Sequence, residues 1–199
     1  MISVDDAWNQ EVQYEKCVDH LYKDDKGYPT AGCGNLMMLA TMMALPWRRR
    51  DNDQEASTDE IQADWNSVAK LPGNMSDAYY AKFTKLYLPV DNIKKLFSSR
   101  LVEFAHQLAG IYADYDTWPR AAQLAELDMI FNLGIGTYLT FTSHVTALKK
   151  RPPDWQGAAD SCHRKNKNPN VAKWDPSDKH ERRQIMVRDL LLSCINSVS

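Results

Sequence analysis

The stretch from Tyr14 to Asn35, YEKCVDHLYKDDKGYPTAGCGN, decides the fold class and the candidate chemistry of this chain. Its middle, DDKG from Asp24 to Gly27, has the composition of a tight turn, because glycine readily adopts a positive φ. Two more glycines, Gly32 and Gly34, follow soon after Thr30. We therefore predict a β-hairpin around the turn, closed by the Gly-x-Gly segment.

Apolar spacing on either side of this hairpin predicts helices. Trp8, Val12, Val18 and Leu21 recur at roughly helical intervals, so we predict a helix from about Asp5 to Leu21, with Glu15 near its end. The methionine-rich run 36–45 predicts a buried helix, and residues 47–54 a polar linker. Further helices are predicted at 57–71, where Ser57 and Glu60 form a capping box, at 77–88, 91–112, 117–134, 141–150 and 154–164, and from Ser177 onward. Residues 165–176 are predicted to form a loop.

These elements give a fold class of α+β, helix-dominated. The 199 residues, 44% of them hydrophobic, suit a single domain, 1–199. Within it we expect a small N-terminal lobe with the β-hairpin at about 1–90 and a helical C-terminal lobe at about 91–199. No apolar run approaches the roughly 20 residues of a membrane helix, so we expect no membrane insertion.

Charge is unevenly distributed, although the net charge is only -2. Between Lys149 and Arg188 there are 11 Lys and Arg residues against 5 Asp and Glu residues. Such a segment suits an anionic polymer, nucleic acid or cell wall, or is simply a solvated face. Because no nucleic-acid-binding motif accompanies it, we expect no nucleic-acid partner.

The cysteines and histidines do not predict a metal site. Four cysteines, at positions 17, 33, 162 and 194, form no CxxC pair, and the five histidines are scattered. For the cysteines we favour four buried thiols, since the N-terminus lacks the core of a signal peptide. The alternative is a pair of disulfides, Cys17 with Cys33 and Cys162 with Cys194.

Glu15, Asp24 and Thr30 are the candidate chemical groups of the opening stretch. A hairpin packed after a helix can bring two carboxyl groups to opposite sides of a cleft, as glycoside hydrolysis requires. One group protonates the leaving oxygen, and the other manages the nucleophile. A threonine hydroxyl donates and accepts, so it can hold a water molecule in line. From these residues alone, a solvated surface hairpin is the simpler interpretation.

The spacing of these residues resembles the active-site signature of the phage-type lysozymes, glycoside hydrolase family 24. That signature is Glu, eight residues, Asp or Cys, five residues, Thr, and then Gly-x-Gly. Here it reads Glu15, eight residues, Asp24, five residues, Thr30, and then Gly32-Cys33-Gly34. The segment DMIFNLG, from 128 to 134, resembles the family's second signature, in which an amide side chain faces the substrate.

The resemblance implies roles for individual residues. Glu15 would be the general acid, Asp24 the carboxylate that activates water, and Thr30 the residue that positions this water. The implied substrate-contacting residues are Tyr28, Gly32, Asn35 and Asn132. For Asn132, the alternative is a residue at a helix end that bonds its own backbone. Arg182 and Arg183 fall near the family's basic helix. The chain departs from the family at Asn35, where a histidine is usual, and so lacks a salt-bridge partner.

The activity that the resemblance implies is that of a peptidoglycan muramidase. It would hydrolyse the β-1,4 bond between N-acetylmuramic acid and N-acetylglucosamine, with inversion and without a metal or organic cofactor. The alternative is a non-catalytic cell-wall-binding or structural module. We expect a monomer whose partner is the peptidoglycan glycan strand and which acts in the periplasm. Without a signal peptide it would arrive by holin release, toxin import or a secretion system, and an antibacterial effector would also have an immunity protein.

Overall fold

The computed structural model describes residues 4–14, 16–164 and 171–195. The chain divides into two compact units: Glu15–Ser99, here called the hairpin unit, and Met1–Tyr14 with Arg100–Ser199, here called the helical unit. Of the described residues, 57% are helical and 9% lie in strands, which confirms the predicted α+β, helix-dominated fold class. None of the described helices has both the length and the apolar character needed to cross a membrane.

The predicted hairpin lies in the hairpin unit and is part of a three-stranded antiparallel sheet. Its strands are β1 (Val18–Lys23), β2 (Pro29–Gly32) and β3 (Asn35–Leu36), in that order across the sheet. The turn between β1 and β2 is closed by a hydrogen bond from Gly27 N to Asp24 O, and Gly27 has a φ of 83°. A turn that ends on a left-handed glycine is a common connection between antiparallel strands.

The predicted helix from Asp5 to Leu21 is wrong in its second half. Helix α1 covers Val4–Glu11, and the segment Val18–Lys23 is strand β1. Val18, His20 and Leu21 are buried, and this pattern departs from strict alternation because the register with β2 shifts between Val18 and Tyr22. Val18 is also β-branched, and the backbone of β1 is satisfied by its pairing with β2.

The rest of the hairpin unit combines short helices with a second sheet. Its elements are α2 (Leu39–Met43), β4 (Arg48–Arg49), α3 (Thr58–Ala69), α4 (Asp77–Tyr80) and β5 (Leu86–Tyr87). The predicted capping box is confirmed: Ser57 Oγ accepts from Glu60 N, and the Glu60 carboxylate accepts from Ser57 N at 2.8 Å. The helix predicted over 36–45 is reduced to the five residues of α2.

The polar linker predicted at 47–54 is also wrong, because Arg48 and Arg49 form β4 and pair with β5 in an antiparallel sheet. Their charges are matched by distant carboxylates. Arg49 pairs with Glu60 and the next residue, Arg50, with Asp19, each at 2.7 Å. The arginine run therefore belongs to the sheet and its flanking contacts.

The helical unit contains α1 and the later helices, which the sequence places well. These are α5 (Val90–Ile111), which starts in the hairpin unit, α6 (Arg120–Tyr138), α7 (Thr142–Leu148), α8 (Trp155–Ser161) and α9 (Lys179–Ser193). At Gly134, where the sequence predicts an end, α6 has non-helical φ and ψ of 72° and 154°. The cap of α9 is Asp178, whose carboxylate accepts from His180 N and Glu181 N, and not the predicted Ser177. Residues 165–170 of the predicted loop lie outside the described residues.

Candidate functional site

Glu15, the predicted general acid, lies outside the described residues. The described residues before and after it are held by specific contacts. In the helical unit, the ring of Tyr14 lies 5.7 Å from the guanidinium carbon of Arg183. In the hairpin unit, Cys17 is bonded to Cys33. The chain is therefore anchored one residue before Glu15 and two residues after it.

Asp24 stands at the start of the hairpin turn with its carboxylate oriented by backbone groups. Its Oδ1 accepts hydrogen bonds from Lys26 N at 3.0 Å and from Tyr28 N at 2.8 Å. Its Oδ2 has no hydrogen-bond partner in the described part of the chain. The carboxylate is thus fixed through one oxygen, and the other can accept from water or a ligand.

The hairpin brings Thr30 and Asp24 together. Thr30 is 2% exposed, and its hydroxyl donates to the Tyr28 carbonyl at 2.9 Å. The same carbonyl accepts the backbone N–H of Asp24 at 3.0 Å. Thr30 pairs with Tyr22, and side chains two residues apart share a face of a strand. Asp24 and Thr30 are therefore expected on one face of the hairpin.

This arrangement determines how a water molecule can be held there. The hydroxyl of Thr30 donates its one hydrogen bond to the Tyr28 carbonyl, so it can meet a water only as an acceptor. Asp24 Oδ2 is an acceptor as well. A water that reached both oxygens would donate one hydrogen bond to each, with its lone pairs turned away from them. That is the orientation in which a carboxylate takes the proton while the water oxygen attacks.

The other face of the hairpin is fastened to α3. Lys23, adjacent to Asp24, donates from Nζ to the carbonyls of Ala69 at 2.8 Å and Leu71 at 2.6 Å. These carbonyls lie at the C-terminal end of α3, where helix carbonyls lack intrahelical donors and a cation is favourable. The contact fixes β1 directly before Asp24.

The cysteines differ from the favoured prediction of four thiols. Cys17 and Cys33 form a disulfide that joins the start of β1 to the end of β2, with Cα atoms 4.4 Å apart. Cys162 and Cys194 are buried free thiols, so the second pairing considered from the sequence is not formed. Burial raises the pKa of Cys162 to about 12, which keeps it protonated and unreactive at neutral pH.

The predicted substrate-contacting residues lie in different surroundings. Tyr28 is 56% exposed, whereas Gly32 and Asn35 are buried. Gly32 has a φ of 60°, and a Cβ there would lie 3.0 Å from Asn35 Nδ2 and 3.1 Å from Ile93 Cγ2, so both conformation and packing require glycine. Asn132 is exposed on α6, two residues before Gly134.

Sequence reasoning missed a buried ion cluster beside Tyr14 in the helical unit. Arg183 on α9 donates from Nε to Asp128 Oδ2 on α6 at 3.0 Å and from Nη2 to Glu11 Oε1 at the end of α1 at 2.6 Å. Burial raises the pKa of Asp128, and the charge of Arg183 opposes that rise. The cluster joins three helices where the chain leaves α1 toward Glu15. The available signal was Asp128, a carboxylate inside an apolar run.

Within the described ranges, no group of three His, Cys, Asp or Glu side chains is arranged to hold a metal ion. Compared with models of known protein families and with curated proteins, the chain matches none.

Proposed function

We propose that this chain is a muramidase that hydrolyses the β-1,4 bond between N-acetylmuramic acid and N-acetylglucosamine in peptidoglycan. The observation that carries the proposal is that the backbone N–H of Asp24 and the hydroxyl of Thr30 both donate to the Tyr28 carbonyl. In the sequence, Glu15 precedes this pair at the spacing of a glycoside hydrolase signature. Because peptidoglycan is a component of the cell envelope, the protein would act in the periplasm.

The reaction divides between an acid and a base. Glu15 gives a proton to the glycosidic oxygen as its bond to the anomeric carbon breaks. Asp24 Oδ2 takes a proton from the water whose oxygen bonds to that carbon. Thr30 Oγ1 accepts a hydrogen bond from the other hydrogen of this water, which stays on the product hydroxyl. Since Asp24 acts through water and forms no bond to the sugar, the configuration inverts and the α-anomer is released first.

Release of new reducing ends from purified peptidoglycan tests the proposal. We expect Glu15→Gln and Asp24→Asn each to lower the rate by about 10²–10⁴, the range that one general acid or base supplies. Their far-UV circular dichroism should match that of the unmodified chain. Asp25→Asn is the matched control, because it removes the exposed neighbouring carboxylate of the same turn and should keep the rate.

The stereochemistry is read by proton NMR of fresh products, before mutarotation. A muramidase is contradicted if the unmodified chain releases no reducing ends, or if either variant hydrolyses at the unmodified rate. If the β-anomer appears first, the role of Glu15 as general acid is retained, and attack by a water held between Asp24 and Thr30 is rejected.

A further inference from the structure

A cavity of about 520 Å³ lies entirely within the hairpin unit, and neither Asp24 nor Thr30 lines it. It is bounded by α3, by the 3₁₀ turn Ala81–Phe83 and by strands β4 and β5. Phe83 supplies an apolar surface that is 43% exposed. The volume falls within the range of small-molecule sites, which combine apolar walls with a few polar groups.

Asp64, on α3, is the least exposed charged residue of the lining, at 5%. Its Oδ1 accepts the backbone N–H of Lys85 at 2.8 Å, whereas its Oδ2 is buried and has no hydrogen-bond partner among the described residues. Burial raises the pKa of Asp64, and the backbone N–H groups of Lys85 and Leu86 oppose the rise. Buried acceptors without a donor are rare, and because Asp64 lines the cavity, its Oδ2 is the acceptor that a ligand donor would satisfy.

The cations of the lining differ in their availability. Arg49 and Arg50 are each engaged by a carboxylate at 2.7 Å. Lys85 is exposed, and its ammonium has no carboxylate partner in the described part of the chain. Lys85 and Asp64 both line the cavity, and the backbone N–H of Lys85 donates to Asp64 Oδ1.

We propose that this cavity binds the head group of an amino acid, with its ammonium donating to Asp64 and its carboxylate paired with Lys85. A head group carries both charges on one carbon, so it can satisfy two neighbouring groups of opposite sign. An uncharged sugar would leave Lys85 without an anion, and a simple anion would leave Asp64 Oδ2 without a donor. Phe83 offers a surface for the aliphatic chain that leads away from the head group.

The stem peptide of peptidoglycan is a source of such a head group that suits the proposed function. Only this choice of source rests on the proposed function. Stem peptides contain diamino acids whose side chain ends in an ammonium and a carboxylate on one carbon. Binding this end would hold the protein on wall whose peptides are not crosslinked. A free amino acid in solution offers the same chemistry, and the experiment separates the two.

Binding is measured by calorimetric titration of the full chain, independently of hydrolysis. The probe is L-alanyl-γ-D-glutamyl-meso-diaminopimelate, compared with the same peptide acetylated on its distal amine and with free L-alanine. We expect Lys85→Met and Asp64→Asn each to weaken binding of the free peptide by about tenfold. Lys82→Met is the matched control, because Lys82 is an exposed lysine of the adjacent turn and does not line the cavity.

Chemical-shift changes in ¹H–¹⁵N spectra should fall on residues 49–51, 63–67 and 83–86. The proposal is overturned if the unmodified chain does not bind the peptide at millimolar concentration, or if Lys85→Met, which changes only an exposed side chain, binds it equally. Equal binding of the acetylated peptide overturns the role of Asp64. Equal binding of L-alanine overturns the stem peptide as the source. Glu15→Gln separates the two proposals, since it should stop hydrolysis and leave peptide binding intact.

Discussion

The hydroxyl of Thr30 can donate one hydrogen bond, and it donates this bond to the Tyr28 carbonyl. Thr30 can therefore serve a water only through its lone pairs, which is what an attacking water needs beside a carboxylate that takes its proton. Serine can make the same two contacts. Valine keeps the branched shape of threonine and loses both contacts, so the two substitutions separate the hydroxyl from the packing of the side chain.

We expect Thr30→Val to lower the rate of peptidoglycan hydrolysis by about 10²-fold or more and Thr30→Ser to retain most of it. The free energy of unfolding of Thr30→Val should fall by only about 1 kcal/mol, the value of one buried hydrogen bond. Reducing-end release and urea denaturation measure the two effects. A Thr30→Val protein of normal rate would show that Thr30 positions no water, and an equal loss in both variants would assign its effect to packing.

At the scale of elements, the hairpin is held at both ends. Lys23 fastens it to the end of α3 beside the turn, and the disulfide between Cys17 and Cys33 closes its open end. The closed loop has a sequence separation of 16 and contains both Asp24 and Thr30. A crosslink over such a loop restricts the unfolded chain and is expected to stabilise the protein by about 3 kcal/mol.

Reduction should therefore lower the free energy of unfolding by about 3 kcal/mol. The measurement is urea denaturation with and without a phosphine reductant, and the matched control is the Cys17→Ser, Cys33→Ser double variant, which the reductant should leave unchanged. Alkylation in denaturant without reductant should label only Cys162 and Cys194, the free thiols. Four labelled cysteines, or identical curves with and without reductant, would contradict the disulfide.

The hairpin was predictable and its first strand was not, for one physical reason. The turn from Asp24 to Gly27 depends on four consecutive residues, so their composition alone predicts it. The strand Val18–Lys23 depends on β2 and on a disulfide partner 16 residues away, so its apolar spacing alone was compatible with a helix. The sequence predicts a linker at Arg48 and Arg49 for the same reason, since their strand partners lie about 40 residues away in β5.

At the scale of the whole molecule, the order and type of the long helices could be predicted, because their apolar periodicity and caps are local signals. Their buried polar groups could not be. Glu126 and His144 are both 0% exposed, and periodicity cannot distinguish a carboxylate that meets an imidazole in the core from one on a solvated face. The candidate site has a similar limit, since the spacing singles out Asp24 and Thr30 but does not predict the hydrogen bonds of their side chains.

The buried pair in the helical unit makes stability depend on pH in a direction that can be worked out. His144 Nδ1 faces the Ala158 carbonyl at 2.9 Å, which only accepts, and Nε2 faces Glu126 Oε1 at 2.9 Å. The hydroxyl of Tyr138 donates to the same carboxylate. Both ring nitrogens therefore act as donors, as in an imidazolium. Burial by itself would lower the pKa of His144, but Glu126 and the Ala158 carbonyl reverse this and raise it above 6.5.

Because the folded-state pKa is raised, the folded protein binds more protons than the unfolded chain above about pH 6.5. The contribution of the pair is complete below that pH and is lost as pH rises through the folded-state pKa. Glu126→Gln should cost about 3–5 kcal/mol at pH 6, because it leaves a buried imidazolium without its anion. The cost should fall as pH rises through the folded-state pKa of His144, because the unmodified chain then loses the imidazolium and Gln can donate to a neutral imidazole.

Urea denaturation of the unmodified chain and of Glu126→Gln between pH 6 and pH 9 measures this difference. Burial raises the pKa of Tyr138, so its hydroxyl does not titrate in this range. His180→Gln is the matched control, because His180 is exposed on α9 and its loss should leave the pH dependence of the unmodified chain in place. If the gap in unfolding free energy between the unmodified chain and Glu126→Gln widens as pH rises, then His144 is neutral in the folded protein.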